Sequence, residues 1–94
     1  MIVTFASKET ERIWNGMRSR KLPADIQQRA LAKLRLINRS KSLEDLRNPP
    51  GNHLEALKDD RTGQHSVRIN RQWRICFVWK DGEAHGVEIV DYHR

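Results

Sequence analysis

The sequence predicts an α+β fold: two N-terminal helices packed on one face of a twisted, mainly antiparallel sheet of about five strands. Three observations carry this reading. Apolar residues recur at helical spacing between residues 8 and 38, short β-branched and aromatic runs alternate after residue 52, and turn signals separate those runs. With 94 residues the chain is expected to form a single domain over 1–94, one that buries only about 60% of its unfolded surface.

Residues 1–6 are mostly β-branched or aromatic, with Ile2, Thr4 and Ala6 alternating against Val3 and Phe5, and are expected to form a short buried strand. Ser7 is suited to cap a helix over Lys8–Arg18, in which Ile13, Trp14 and Met17 form the apolar stripe. Pro23 suits the first turn of a second helix reaching about Asn38, where Ile26, Ala30, Leu34 and Ile37 share one stripe and Asp25 sits near the positive end. The two helices are expected to pair antiparallel. Ser42–Leu46 offers one helical turn, and Asn48-Pro49-Pro50-Gly51-Asn52 forbids regular structure. Strands are expected from His53 to Leu57 and over His65–Ile69, with a turn at Asp59–Gly63 between them. Asn70-Arg71-Gln72 closes a hairpin, after which Trp73, Ile75, Phe77 and Trp79 face one way and Arg74, Cys76 and Val78 the other. Asp81-Gly82 signals a second hairpin, and a last strand runs from Ala84 to about Val90.

Charged residues make up 32% of the chain, against about 25% in typical domains, so a thin core lies under a very polar surface. A net charge of +6 biases such a domain toward polyanions, nucleic acid or an acidic protein, the bland alternative being solubility. Residues 1–50 hold 11 basic and 5 acidic side chains, and residues 51–94 hold 7 of each. The neutral second half conceals Arg61, Arg68, Arg71 and Arg74, a basic run with no acid between them. A single cysteine, Cys76, excludes an internal disulfide and a thiolate metal cage. With no cationic leader and no long apolar stretch, a cytoplasmic protein without membrane association is expected.

Arg68 and Arg74 point opposite to their core-facing neighbours, which places two guanidinium groups, exposed or half-buried, on the uncovered sheet face. An arginine fork there suits phosphate, because planar donors grip two oxygens at once; the alternative is that both merely solvate the face. Asp91-Tyr92-His93 offers a carboxylate, a phenol and an imidazole at the end of a strand, the groups that acid–base chemistry uses. Strict alternation separates Tyr92 from Asp91 and His93, so the strand must end, twist or bulge there if all three converge. His53, beside the Pro-Pro-Gly-Asn turn, is a further proton donor or else a hydrogen-bonded surface residue. His-Glu-x-x-His, paired cysteines and carboxylate clusters are absent, so no metal and no cofactor are expected. A phosphate-cradling glycine loop and a Gly-x-Ser-x-Gly elbow are absent too. Trp14, Trp73 and Trp79 read as core residues by their parity.

Leu46-Arg47-Asn48-Pro49-Pro50-Gly51-Asn52, Leu54-Glu55-Ala56-Leu57, Asp60-Arg61, Ser66-Val67-Arg68-Ile69-Asn70, Gln72-Trp73-Arg74-Ile75-Cys76-Phe77 and Val87-Glu88-Ile89-Val90-Asp91-Tyr92-His93 form a dense set of motifs. Together they make the chain resemble the HigB-type toxins of bacterial toxin–antitoxin modules, within the RelE/ParE superfamily. The likeness spans the whole chain in length and element order. It implies the RelE-like fold and an endoribonuclease that enters the ribosomal A site and cuts mRNA without a metal. On that resemblance Arg68 and Arg74 supply charge around the phosphate, His93 and Tyr92 divide proton transfer, and Asp91 orients them or acts as a base. Family enzymes place a histidine near the first strand of the meander. His53 is one candidate for it, while another register puts Glu55 there.

Asp59 departs from the glycine that the family often has in its turn. RNA contacts are expected from Arg61, Arg71 and Lys58, and from Arg29 and Lys33 on the second helix, where Arg35 and Arg39 add charge for docking on the ribosome. The partner the resemblance implies is a cognate helix-turn-helix antitoxin of the HigA type. Two rival readings stand beside it. The ParE branch poisons DNA gyrase and generally lacks the basic and C-terminal acid–base residues present here; a non-catalytic RNA-binding module is separated only by a cleavage assay.

Overall fold

The computed structural model describes residues 1–92. Two helices come first, α1 (Lys8–Trp14) and α2 (Ala24–Arg39). A four-stranded antiparallel sheet follows in the order β1 (Glu55–Ala56), β2 (His65–Arg68), β3 (Trp73–Lys80) and β4 (Glu83–Asp91). The α+β class and the helices-on-a-sheet arrangement are as expected. Among the described residues no helix is long and apolar enough to cross a membrane.

Ser7 caps α1, its hydroxyl accepting the Thr10 N–H at 3.3 Å. The helix stops at Trp14, short of the expected Arg18, because Gly16 takes a φ of +80° that residues with a Cβ adopt at a cost. Met17 N–H to Arg12 C=O (2.8 Å) and Gly16 N–H to Ile13 C=O (3.0 Å) close the end as a Schellman pair. Met17, counted in the apolar stripe, is therefore exposed, while Ile13 is buried. On α2 the stripe holds: Ile26, Ala30, Leu34 and Ile37 are all buried.

The N-terminal strand is corrected. Met1–Ala6 forms no continuous ladder with β4 but two isolated parallel bridges, Ile2 with Ala84 and Phe5 with Val87. Between them the Thr4 hydroxyl accepts the Gly86 N–H at 2.8 Å, taking the place of a ladder bond where Gly86, at φ +59°, bends β4. Burial accordingly follows a spacing of three rather than two, with Ile2 and Phe5 against the core and Val3 45% exposed.

The strand expected from His53 shrinks to Glu55–Ala56. A 3-10 turn over Pro50–Asn52 ends at His53 in the left-handed region, φ 44°. The buried Asn52 enforces this bend: its amide donates to Leu46 C=O (3.1 Å) and Asn48 C=O (3.2 Å), and its oxygen accepts from Lys33 Nζ. Asp59, at the family's glycine position, also has a positive φ of 55°. Aspartate tolerates that conformation better than most side chains.

Register sets the two faces of the sheet. Val67, Ile75 and Ile89 lie opposite one another across β2, β3 and β4 and pack under α2 with Phe77, Val87 and Leu46. Trp14, Trp73 and Trp79 are half-buried against that core, as their parity predicted. The other face carries two cross-strand rows, Glu55–Ser66–Cys76–Glu88 and Arg68–Arg74–Val90.

Candidate active site

Arg68 and Arg74 share one sheet face, as the parity argument required, and are direct cross-strand partners on β2 and β3. Like charges placed opposite each other repel, so the pair persists only where other groups compensate. Arg74 is where that compensation is built. It was expected exposed or half-buried and is instead 8% exposed. Its Nε donates to Ser66 Oγ at 2.6 Å, and Nη2 donates to Ser66 C=O at 3.3 Å and to the His53 carbonyl. The guanidinium carbon lies 5.5 Å from the centre of the Tyr92 ring, whose π-face attracts a cation. Arg74 thus ties the His53 bend to β2 and supports Tyr92, while Arg68 stays half-buried and reachable.

Tyr92 follows the last residue of β4. Its N–H donates to Gln72 C=O at 2.6 Å, extending the alignment by one residue and turning the ring onto the arginine face. The phenol Oη donates to Glu55 Oε1 at 3.1 Å. Glu55 therefore lies in the cleft beside Tyr92, and the bend at residue 53 leaves the His53 side chain exposed on the rim of the same cleft, its carbonyl held by Arg74. Arg68, Arg71, Arg74, Tyr92 and Glu55 wall a cleft of about 540 Å³, with Gln72 and Asn70 at the hairpin end. Asn70 shapes that end, its Oδ1 accepting both Gln72 N–H and Trp73 N–H at 2.8 Å.

Asp91 is not brought into the cleft. It pairs with Trp73 on the opposite parity, and its carboxylate accepts from Gln72 Nε2 at 3.0 Å, so it steadies the hairpin from behind. The strand does end at Asp91, where convergence of Asp91, Tyr92 and His93 was expected to require an end, twist or bulge, and Tyr92 keeps the parity of Val90 on the arginine face. His93 lies outside the described residues.

The expected RNA contacts divide. Arg71 is exposed in the cleft wall. Lys58 is exposed beside a smaller hollow on the far side of Tyr92 and Glu55. Arg61 does not line the cleft: its Nη1 bonds to Glu88 Oε1 and Gln64 Oε1, each at 3.0 Å. The bond to Glu88, opposed only in part by burial, holds the Arg61 pKa above its ordinary value. Arg29 and Lys33 line an adjoining hollow. Lys33 is pushed below the usual ammonium range by burial and by the neighbouring Arg29. Burial also pushes the Cys76 thiol up, which leaves it an inert part of the sheet. Among the described residues no three His, Cys, Asp or Glu side chains gather at metal-binding distance.

Sequence reasoning missed Ser66 and Asn52, the two buried polar residues that hold Arg74 and the His53 bend. Ser66 shares the parity of Arg68 and was legible as its neighbour on the same face. Asn52 carried no signal beyond its place after Pro-Pro-Gly.

Comparison with known proteins places this geometry. The HigB-like toxin family, described as the RelE-like toxin of the type II toxin–antitoxin system HigB, matches residues 3–93. The chain belongs to this family. Toxin HigB-1 of Vibrio cholerae is 35% identical over 85 residues, 89% of this chain and 90% of the relative. Endoribonuclease HigB of Proteus vulgaris is 29% identical over 93 residues, 99% of this chain and all of the relative. In three dimensions the HigB-like chain is similar to a chain in the crystal structure of the YoeB-YefM toxin–antitoxin heterotetramer from Staphylococcus aureus, with TM-score 0.61, 18% identity and 100% and 99% of the two chains covered. A YoeB/ParE toxin from Agrobacterium tumefaciens matches at TM-score 0.53 and 19% identity, over 99% and 98% of the chains. At these identities the two structures support the fold alone.

Proposed function

We propose that this HigB-like toxin is an endoribonuclease that cuts mRNA in the ribosomal A site and stops translation, without a metal, and that a cognate helix-turn-helix antitoxin of the HigA type neutralises it. One observation carries the reading: a cleft that sets two opposed arginines against a tyrosine–carboxylate pair. The family match and the relative named as an endoribonuclease point the same way.

Cleavage without a metal uses the substrate's own ribose. The 2′-hydroxyl attacks phosphorus, its proton leaves to a base, the P–O5′ bond breaks and the 5′-oxygen takes a proton. The products are a 2′,3′-cyclic phosphate and a 5′-hydroxyl end. Arg68 is placed to grip the phosphate oxygens as negative charge builds, and Arg74 adds a fixed positive field that needs no reorganisation. Glu55 is the base of this scheme, acting on the 2′-hydroxyl directly or through the Tyr92 phenol, which it already accepts from. His93 is the donor to the leaving oxygen. Asp91 accepts from Gln72 and has an orienting role in this scheme.

The test is primer extension on a translated mRNA after induction of the chain, with the 3′ ends of the fragments typed chemically. Cuts ending in 2′,3′-cyclic phosphate are expected. Growth arrest with intact mRNA and impaired DNA supercoiling would instead favour the gyrase-poison reading.

A further inference from the structure

The cleft does not stop at Arg68. A second hollow of about 650 Å³ shares Arg68, Arg71, Asn70 and His53 with it and continues to Arg29 and Lys33 on α2. None of the residues lining this second hollow is acidic. Arg29 Nη1 donates to the Ile69 carbonyl at 3.3 Å and Lys33 Nζ to Asn52 Oδ1, so neither cation meets a counter-charge in these bonds. Among the described residues the ion pairs lie elsewhere, at Arg47–Glu44, Arg61–Glu88 and His85–Glu83. Burial, and after it the neighbouring Arg29, hold the Lys33 pKa below its ordinary value, and an anion bound between the two cations opposes the second of these causes.

We infer that the two hollows form one continuous single-stranded RNA track, in which Arg29 and Lys33 hold a backbone phosphate one step or more from the scissile one and His53 contacts the intervening base. This deepens the nuclease reading and rests on it for the position of the scissile phosphate. His53 suits the junction because it lines both hollows, its side chain is exposed, and Arg74 anchors its backbone carbonyl. A base can stack on an imidazole held in this way, whatever its sequence. The residue that sequence analysis set among proton donors is thereby a positioning residue for substrate.

Binding of fluorescent 2′-O-methyl RNA, which cannot be cleaved because its nucleophile is capped, separates the track from the chemistry. Anisotropy is measured with a trimer and a hexamer between 50 and 200 mM salt, conditions in which single-strand binding falls with a slope of about 0.7 per phosphate neutralised. For the hexamer, Arg29→Gln/Lys33→Gln is expected to flatten the log–log salt slope by about 0.7, the share of the one phosphate that the two cations hold. The same pair is expected to leave the trimer's slope unchanged. Glutamine keeps a donor for Ile69 and Asn52, and Arg29→Gln alone, expected to flatten the slope in the same direction by part of that amount, covers the case in which the double variant folds poorly. His53→Ala is expected to weaken the hexamer about tenfold with its slope intact. Equal hexamer slopes in wild type and the Arg29→Gln variants, undiminished hexamer affinity in His53→Ala, or no hexamer binding at all each overturn the track. A hollow that serves an acidic protein segment gives the first of these results. Loss of trimer binding in Arg68→Gln supports the central cleft independently, so failure of the track and failure of the nuclease reading give different patterns.

Discussion

On the α2-covered face of β3, Ile75 and Phe77 are fully buried among apolar side chains; on the opposite face Arg74, with only 8% of its surface exposed, is almost as inaccessible. The first pair is buried because water is expelled from apolar area, and almost any well-shaped apolar neighbour serves. Arg74 is buried because Ser66, the His53 carbonyl and the Tyr92 ring replace its water, and few substitutes can do that. Both faces of one strand are therefore parts of the stable fold, but only the polar one also walls the candidate site. On the proposed function, stability and chemistry are coupled at Arg74 and separate at Arg68, its cross-strand partner.

The sharpest break of this comparison is on the apolar face. Phe77→Ala should cost about 3–5 kcal/mol in chemical denaturation, enough to threaten folding of so small a domain. Arg74→Ala comes next, at about 2 kcal/mol, because it leaves the Ser66 hydroxyl and the His53 carbonyl without their donor. It should also lower single-turnover cleavage by about 10²-fold or more. Arg74→Lys should recover little of either, since a point charge cannot reach both acceptors with the same fork. Full stability in Arg74→Ala would show the polar face to be ornamental to the fold.

Smaller effects separate the remaining groups. Tyr92→Phe removes one hydrogen bond to Glu55 and should cost about 1 kcal/mol. Glu55→Gln keeps an acceptor and should cost less stability while lowering cleavage by about 10²-fold. A double variant no worse in cleavage than Glu55→Gln would show that the two act as one unit. Arg68→Ala should leave the melting temperature unchanged or slightly raised, because it relieves repulsion against Arg74, yet abolish detectable cleavage. Destabilisation by Arg68→Ala comparable to that of Arg74→Ala would erase the distinction between the two arginines.

How much of this was legible in the chain follows from what each feature depends on. The helical stripe Ile26–Ile37, the alternation of Val67 and Ile69, the split of β3 into two faces and the Asp81-Gly82 turn are local periodicities, and the sequence by itself determined them. Pairing Arg68 with Arg74 was legible for the same reason: a short hairpin turn leaves little freedom of register. Tertiary structure alone decided the rest. Whether Glu55 or His53 meets Tyr92 depended on a buried Asn52 that bends the chain toward α2. Burial of Arg74, removal of Arg61 to Glu88 and exclusion of Asp91 all depended on which side chain lies across the strand or beyond its end. Periodicity assigns a residue to a face; the charge, hydrogen-bond partner and water it finds there come from segments distant in sequence, and so appear only once those segments are packed together.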